Sequence, residues 1–217
     1  MTSPLRRDAR RNIERVIEAA TEAFREHGLE VPLEHIAQRA GVSPGTVYNR
    51  FGGRDALIDA VMPALVEARA REAIDRGLAE TDPWQGFVVY VTMLCELQAT
   101  DLSVGDALGR RYPSAERLTE ICNAQIGRAQ VIIDRAHEAG ALRTDFTTED
   151  MPYLFWSSAA VARATADTAP EAWRRALAFT LDGLRASAAH PLPAPPMTHD
   201  EMLSAMVALG ERRQGRS

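Results

Sequence analysis

From Ile13 onward, apolar side chains recur at Ile13, Val16, Ile17, Ala20, Ala23 and Phe24, the three- and four-residue spacing of a helix with one buried stripe. Gly28 follows as a glycine able to end that helix in a left-handed turn. Pro32 suits the first turn of a second helix, where its missing N–H is no loss, and Leu33, Ile36, Ala37 and Ala40 then share one face before Gly41. Ser43 is a candidate N-cap with Pro44 at the first helical position. The third helix so opened runs through Thr46, Val47 and Tyr48 to Phe51 and breaks at Gly52-Gly53.

A fourth helix is predicted from Arg54 or Asp55 through Leu57, Ile58, Val61, Leu65 and Ile74 to about Gly77, with a kink or seam at Pro63. Pro83 starts a fifth, whose core side is Phe87, Val88, Val91, Leu94 and Cys95. Asp101 to Tyr112 is a weaker helical stretch stopped by Pro113. Ser114 is expected to cap a long run through Leu118, Ile121, Ile126, Val131, Ile132 and Ala136, ending at Gly140. Thr147 or Thr148 caps the next helix, with Glu149 and Asp150 complementing the dipole of its first turn, and that helix continues to Ala166. Ala169-Pro170-Glu171 opens the last long helix, through Trp173, Leu177, Leu181 and Leu184.

Pro191, Pro193, Pro195 and Pro196 then make a stiff extended linker, and Thr198 caps a short amphipathic segment carrying Met202, Met206 and Leu209. No alternating strand pattern competes and no internal repeat occurs, so the fold class is all-α. The division expected is a three-helix domain at residues 1–55, a larger helical domain at 56–190, and the proline-rich linker with its short helix at 191–217.

Composition narrows the function. With 217 residues, 46% of them hydrophobic and 25% charged, the chain can bury a real core. Two cysteines, Cys95 and Cys122, exclude a disulfide scaffold and a multi-cysteine zinc module and suit a reducing compartment. The charged N-terminus and the lack of a long uncharged apolar run lead to the expectation of a cytoplasmic protein. Every one of the 25 basic residues is Arg. The net charge of −5 argues against a nucleic-acid partner until it is divided: residues 1–60 hold 9 Arg and 9 acidic residues, and the acidity belongs to the rest. Arg6, Arg7, Arg10, Arg11 and Arg15 precede a run of Glu at 18, 22, 26, 30 and 34, so a basic arm, a candidate for phosphate or minor-groove contact, leads an acidic helix face.

Two short helices joined by Ala40-Gly41-Val42-Ser43 match the helix-turn-helix plan, in which the second helix enters the DNA major groove. With Val42, Val47 and Phe51 turned inward, the opposite face presents Ser43, Pro44, Gly45, Thr46, Tyr48, Asn49 and Arg50. Small side chains, hydrogen-bond donors and one exposed aromatic in a row suit contact with backbone and base edges. Arg54, at the start of the fourth helix, adds a cation for phosphate.

The stretch Ala20-x-x-x-Phe24-x-x-x-Gly28 and then Ile36-Ala37-x-x-Ala40-Gly41-Val42-Ser43-x-Gly45-Thr46-Val47-Tyr48-x-x-Phe51 resembles the DNA-binding domain of the TetR family of transcriptional regulators. The resemblance covers Glu14 to Met62, and the all-α remainder is similar to that family's effector-binding and dimerisation domain. It implies a homodimer bound to a palindromic double-stranded operator, usually as a repressor, that lets go when a small molecule enters the second domain. Three positions depart from the family pattern: Pro32 stands where Ser or Thr is usual, Arg54 where Lys is usual, and Arg50 where His or Tyr is common.

In the larger domain, Trp84, Phe87, Tyr90, Met93, Leu94 and Gln98, together with Arg110, Tyr112, Asn123, Phe155 and Trp156, are candidates to line a ligand cavity between helices. That lining predicts a mostly apolar or amphipathic effector, with Arg110 as the route to an acidic one. The last two long helices are expected to form the dimer, through Ser157, Ser158, Ala159, Ala160, Ala162 and Ala164 on one and Trp173, Ala176, Leu177, Thr180 and Leu184 on the other. No nucleotide, hydrolase or zinc-protease motif occurs, and the five histidines show no i, i+4 pair. Neither an enzyme, a cofactor nor a metal site is expected.

Overall fold

The apolar stripes emerge as helices in a computed structural model that describes residues 4–214, with side chains described from 10 to 210. Ten α-helices follow in order: α1 (Pro4–His27), α2 (Leu33–Ala40), α3 (Pro44–Phe51), α4 (Arg54–Ala79), α5 (Pro83–Thr100), α6 (Leu102–Gly109), α7 (Glu116–Glu138), α8 (Met151–Thr165), α9 (Ala172–Leu184) and α10 (His199–Gln214). Among the described residues there is no strand, only an isolated bridge between Leu142 and Arg185. The fold is all-α.

Several helix starts follow the expected chemistry. Asp82 accepts the Trp84 amide at 2.8 Å to cap α5, and Asp101 accepts those of Ser103 and Val104 at 3.1 and 3.2 Å to cap α6. Two serines do otherwise. Ser43 precedes α3 without capping it, and its hydroxyl lies 2.9 Å from that of Thr46. Ser114 does not cap α7, which starts at Glu116. Instead Asp55 and Asp59 of α4 accept the amides of Ser114 and Leu118, at 3.3 and 2.8 Å. The Leu118 amide, an orphan donor in the first turn of α7, is thus satisfied by a carboxylate from another helix.

Two buried clusters hold the chain together. One joins α1, α2 and α3 to the first half of α4, as far as Val66, and also takes in Val104 and Ala107 of α6 and Leu118 and Cys122 of α7. The second is built on α5, with Phe87, Val91 and Leu94 packed against Ile132 and Ile133 of α7, Leu154 and Phe155 of α8, and Trp173 and Leu177 of α9. α4 and α5 cross so closely that a Cβ on Gly86 would lie 2.5 Å from the Gly77 carbonyl oxygen, and one on Gly77 would lie 2.9 Å from that of Gly86.

The C-terminal segment is larger and better packed than its sequence foretold. α10 spans 16 residues, and Thr198 and Glu201 cap it reciprocally, the Thr198 amide donating to Glu201 at 2.8 Å and the Glu201 amide to the Thr198 hydroxyl at 3.3 Å. Met202 and Met206 are buried, and the Arg111 amide donates to the Met206 carbonyl at 3.2 Å. Past its proline strap the chain therefore turns back onto the larger domain.

Candidate nucleic-acid interface and effector cavity

α3 is anchored by Val47, which is fully buried, with Val42 and Phe51 packed beside it. The helical period then leaves Ser43, Pro44, Gly45, Tyr48, Asn49 and Arg50 exposed, with Thr46 half-buried. Tyr48 is 48% exposed, although a large ring on a two-turn helix has apolar surface to lose to water. Arginines tie α2 and the turn that follows it to α1. Arg39 of α2 reaches Glu26 and Glu22 of α1 at 2.7 and 3.0 Å, and Arg15 of α1 donates to the Gly41 carbonyl at 3.4 Å. The hydrogen bond from Arg39 holds the Glu26 carboxyl below its ordinary value.

Arg54, expected as a cation for phosphate, also has bonds within the domain. Its Nη1 donates to the carbonyls of Leu29 and Val31, at 3.0 and 2.6 Å, and the side chain is half-buried. It clasps the turn between α1 and α2, which Gly28 opens with a φ of +81°. The N-terminal basic arm is not an extended arm: α1 is already helical from Pro4, and Arg10 pairs with Glu14 one turn on, at 3.1 Å. The side chains of Arg6 and Arg7 lie outside the described residues.

A second site lies inside the larger domain. A cavity of about 60 Å³ is walled by α4, α5, α6, α7 and α8 and closed by α10, with an almost wholly apolar lining. Of the residues expected there, Tyr90, Leu94 and Phe155 do line it. The remainder are elsewhere, because helical phase alone does not say which neighbour a face meets. Trp84 and Phe87 are core, stacked 5.8 Å apart, with Phe87 edge-on to Phe146 and Arg185 over the Trp84 ring. Met93 is half-buried at the edge of the same cluster, and Gln98 is buried against Gly105. Asn123 is exposed, and Tyr112 packs in the first cluster, where burial pushes its hydroxyl pKa up. Trp156 is half-buried beside Ala205 and Leu209 of α10 and donates to the Gly109 carbonyl at 2.8 Å.

Arg110 points away from the cavity to an ion pair with Asp106, 2.9 Å long and about nine-tenths buried on both sides. The cavity is instead lined by its neighbour Arg111, with Cys122, Gln125, Met151, Met202 and Met206. Sequence reasoning missed these. The signal for the two methionines was their apolar spacing on the C-terminal amphipathic segment. Burial pushes the Cys95 thiol up to about 11, and that of Cys122 upward too, so both are ordinary buried thiols. Among the described residues, no cluster of three His, Cys, Asp or Glu side chains is placed to hold a metal ion. No helix among them is long and apolar enough to cross a membrane.

A polar joint links α6 to the turn between α1 and α2. Asp106 of α6 receives Arg110 on one oxygen and the Leu29 amide, at 2.9 Å, on the other.

This arrangement, a glycine-turned helix pair with an exposed polar second helix joined to a helical domain with an internal cavity, has counterparts. The sequence model of bacterial regulatory proteins of the tetR family matches residues 16–61, and that of the C-terminal domain of SbtR-like transcriptional regulators matches residues 82–186. The chain belongs to the TetR family of transcriptional regulators. Its class is that of a transcriptional regulator, and TetR-family regulators are in general DNA-binding and non-enzymatic.

Solved structures share the fold of this TetR-family chain. The fatty acid degradation regulator FadR of Bacillus halodurans aligns with a TM-score of 0.56 at 19% identity, covering 80% of this chain and all (100%) of its own. FadR of Bacillus subtilis, solved in complex with stearoyl-CoA, gives 0.58 at 14% identity over 82% of this chain and 100% of its own. RolR, solved with resorcinol, gives 0.56 at 22% identity over 87% of this chain and 98% of its own. At these identities the likeness is one of fold. No curated protein matches the chain in sequence.

Proposed function

We propose that this regulator is a cytoplasmic homodimeric repressor, binding a near-palindromic operator through α3 and releasing it when a small, mostly apolar molecule fills the cavity beneath α10. The observation that carries the reading is Tyr48, held out at 48% exposure between Asn49 and the Ser43–Gly45 turn by a helix whose other face is fully buried at Val47. In this reading Tyr48, Arg50, Ser43 and Thr46 hold phosphates, Asn49 reads a base edge, and the Pro44–Gly45 start brings the backbone close. Arg54 acts from behind, by holding the turn that sets the angle of α2.

The cavity supports control by a ligand, as do the ligand complexes of two proteins of like fold. The dimer is assigned to α8 and α9, through the exposed part of the stripe expected on α8 and, on α9, through Phe179. Ser158, Ala159, Ala162, Trp173 and Leu177 are buried within the subunit, whereas Tyr153, Ser157, Ala160 and Ala164 of α8 and Phe179 of α9, 64% exposed, remain uncovered. Such a surface suits a two-fold partner. The functional units follow the division at 1–55, 56–190 and 191–217, with the first two sharing a buried core through α4 and α6.

The deciding experiment is fluorescence anisotropy with the promoter fragment upstream of the regulator's own gene. Saturable binding that competitor DNA of random sequence does not displace supports operator recognition. Equal affinity for promoter and random DNA would leave a helical ligand-binding protein without operator function.

A further inference from the structure

Arg111 is 6% exposed and lines the cavity with a cationic side chain. Its Nη1 donates to the Arg110 carbonyl at 3.0 Å, while its Nε is buried with no hydrogen-bond partner. Among the described residues no carboxylate forms an ion pair with it, whereas the adjacent Arg110 is paired with Asp106. A buried guanidinium in an apolar wall without a counter-charge is a costly arrangement, and natural proteins keep such a group where something else supplies the anion.

The cavity is also too small as it stands. Its 60 Å³ falls well short of the roughly 300 Å³ at which ligand pockets begin. Met202 and Met206 of α10 form part of its wall, and methionine side chains are flexible enough to repack at little cost. α10 is an addition outside the two matched family regions, the second of which ends at residue 186, and it hangs on a proline strap. Its polar attachments to the body include the bond from the Arg111 amide to the Met206 carbonyl and an exposed pair between His199 and Glu149 at 3.5 Å. The unpaired cation and the removable plug therefore meet at one residue, Arg111.

We propose that the cavity takes an apolar carboxylic acid, its carboxylate paired with the Arg111 guanidinium and its hydrocarbon body replacing Met202 and Met206, so that α10 is a plug the effector displaces. This rests on the reading of the cavity as the effector site and names its ligand class and its gate.

The test uses the full chain with octanoate and octan-1-ol, which share a hydrocarbon body and differ in the acid. In calorimetric titration at neutral pH, octanoate binds at least about tenfold more tightly than the alcohol, as a charge-assisted bond in a dry site requires. Arg111→Gln brings octanoate down to the affinity of the alcohol and leaves the alcohol unchanged, while Arg111→Lys keeps the preference for the acid. Amide hydrogen exchange read by mass spectrometry speeds up across α10 when octanoate is bound. Equal binding of acid and alcohol by the wild type, binding of neither, or unchanged or slower exchange in α10 would each overturn the proposal. If Arg111→Gln does not fold, the wild-type comparison and Arg111→Lys still decide it. A parallel anisotropy titration with operator DNA separates the two readings: acid-selective binding that leaves the operator bound refutes the inducer reading and keeps the site, whereas operator release by acid and alcohol alike keeps the inducer reading and refutes this one.

Discussion

The carboxylate of Asp106 accepts the amide of Leu29 at 2.9 Å, joining residues 77 positions apart in sequence and tying α6 to the turn between α1 and α2. Its other oxygen is held by Arg110, also at 2.9 Å. The turn cannot back away by adding bulk: a Cβ on Gly28 would lie 2.6 Å from the same carboxylate.

Removing that joint leaves Arg110 buried without its counter-charge and the Leu29 amide without an acceptor. Asp106→Ala is expected to lower stability by about 3 to 5 kcal/mol in denaturant unfolding, the range for breaking a buried ion pair. Asp106→Asn keeps an acceptor for Leu29 and is expected to lose less. Equal stability of Asp106→Ala and wild type would show that the joint contributes nothing to the fold.

Three arginine and tyrosine variants separate DNA contact from scaffold. Tyr48→Ala and Arg50→Ala are expected to weaken operator binding with unfolding unchanged, and Arg50→Ala to flatten the salt dependence by roughly one unit of slope. Arg54→Ala removes two bonds to buried-side carbonyls. It is expected to cost about 1 to 2 kcal/mol of stability and leave the salt slope as it was. A flattened slope without loss of stability in Arg54→Ala would place that guanidinium on phosphate instead.

Asn49→Ala is expected to change preference among operator variants by about 1 to 3 kcal/mol at one base pair, measured by competition between single-base substituted operators. A uniform loss across all variants would make Asn49 a backbone contact.

The uncovered ring of Phe179 gives the dimer a test. A carboxylate in its place, Phe179→Glu, is expected to shift the protein from dimer to monomer in sedimentation equilibrium at micromolar concentration, with helicity retained. Operator affinity should fall with it, since one recognition helix holds only a half-site. A wild type that sediments as a monomer, or a variant that stays dimeric, would move the interface elsewhere.

The Glu26 carboxyl is held below its ordinary value of 4.5 by the Arg39 guanidinium. A carboxyl whose folded value is depressed adds stability that is present above its unfolded value and is lost as the pH falls through the folded one. Arg39→Gln is therefore expected to lower the melting temperature at neutral pH and to match the wild type progressively below about pH 4. The pair is solvated, so the neutral-pH difference should be small. A melting difference that persists unchanged at low pH would assign the role of Arg39 to packing.

The sequence by itself determined the helix-turn-helix unit. Its signals are local: Gly28, Gly41 and Gly52 all take positive φ, and Pro44 opens a helix whose inward residue, Val47, is four positions from Phe51. Short-range sterics decide such features within one or two turns, so residues 20–51 could be read directly. The exposure of Tyr48 followed from the same helical phase.

Only the tertiary structure decided which arginine serves which purpose. Arg110 and Arg111 are adjacent, and composition treats them alike, yet one meets Asp106 and the other faces the cavity. Arg54 belongs to the motif by position and to the α1–α2 turn by contact. Met202 and Met206 come back across a proline strap to close a space that α5, α7 and α8 leave open. Each of these depends on long-range docking of side chains that may lie anywhere in the sequence, and a helical period carries the direction of a face but never the identity of what it will meet.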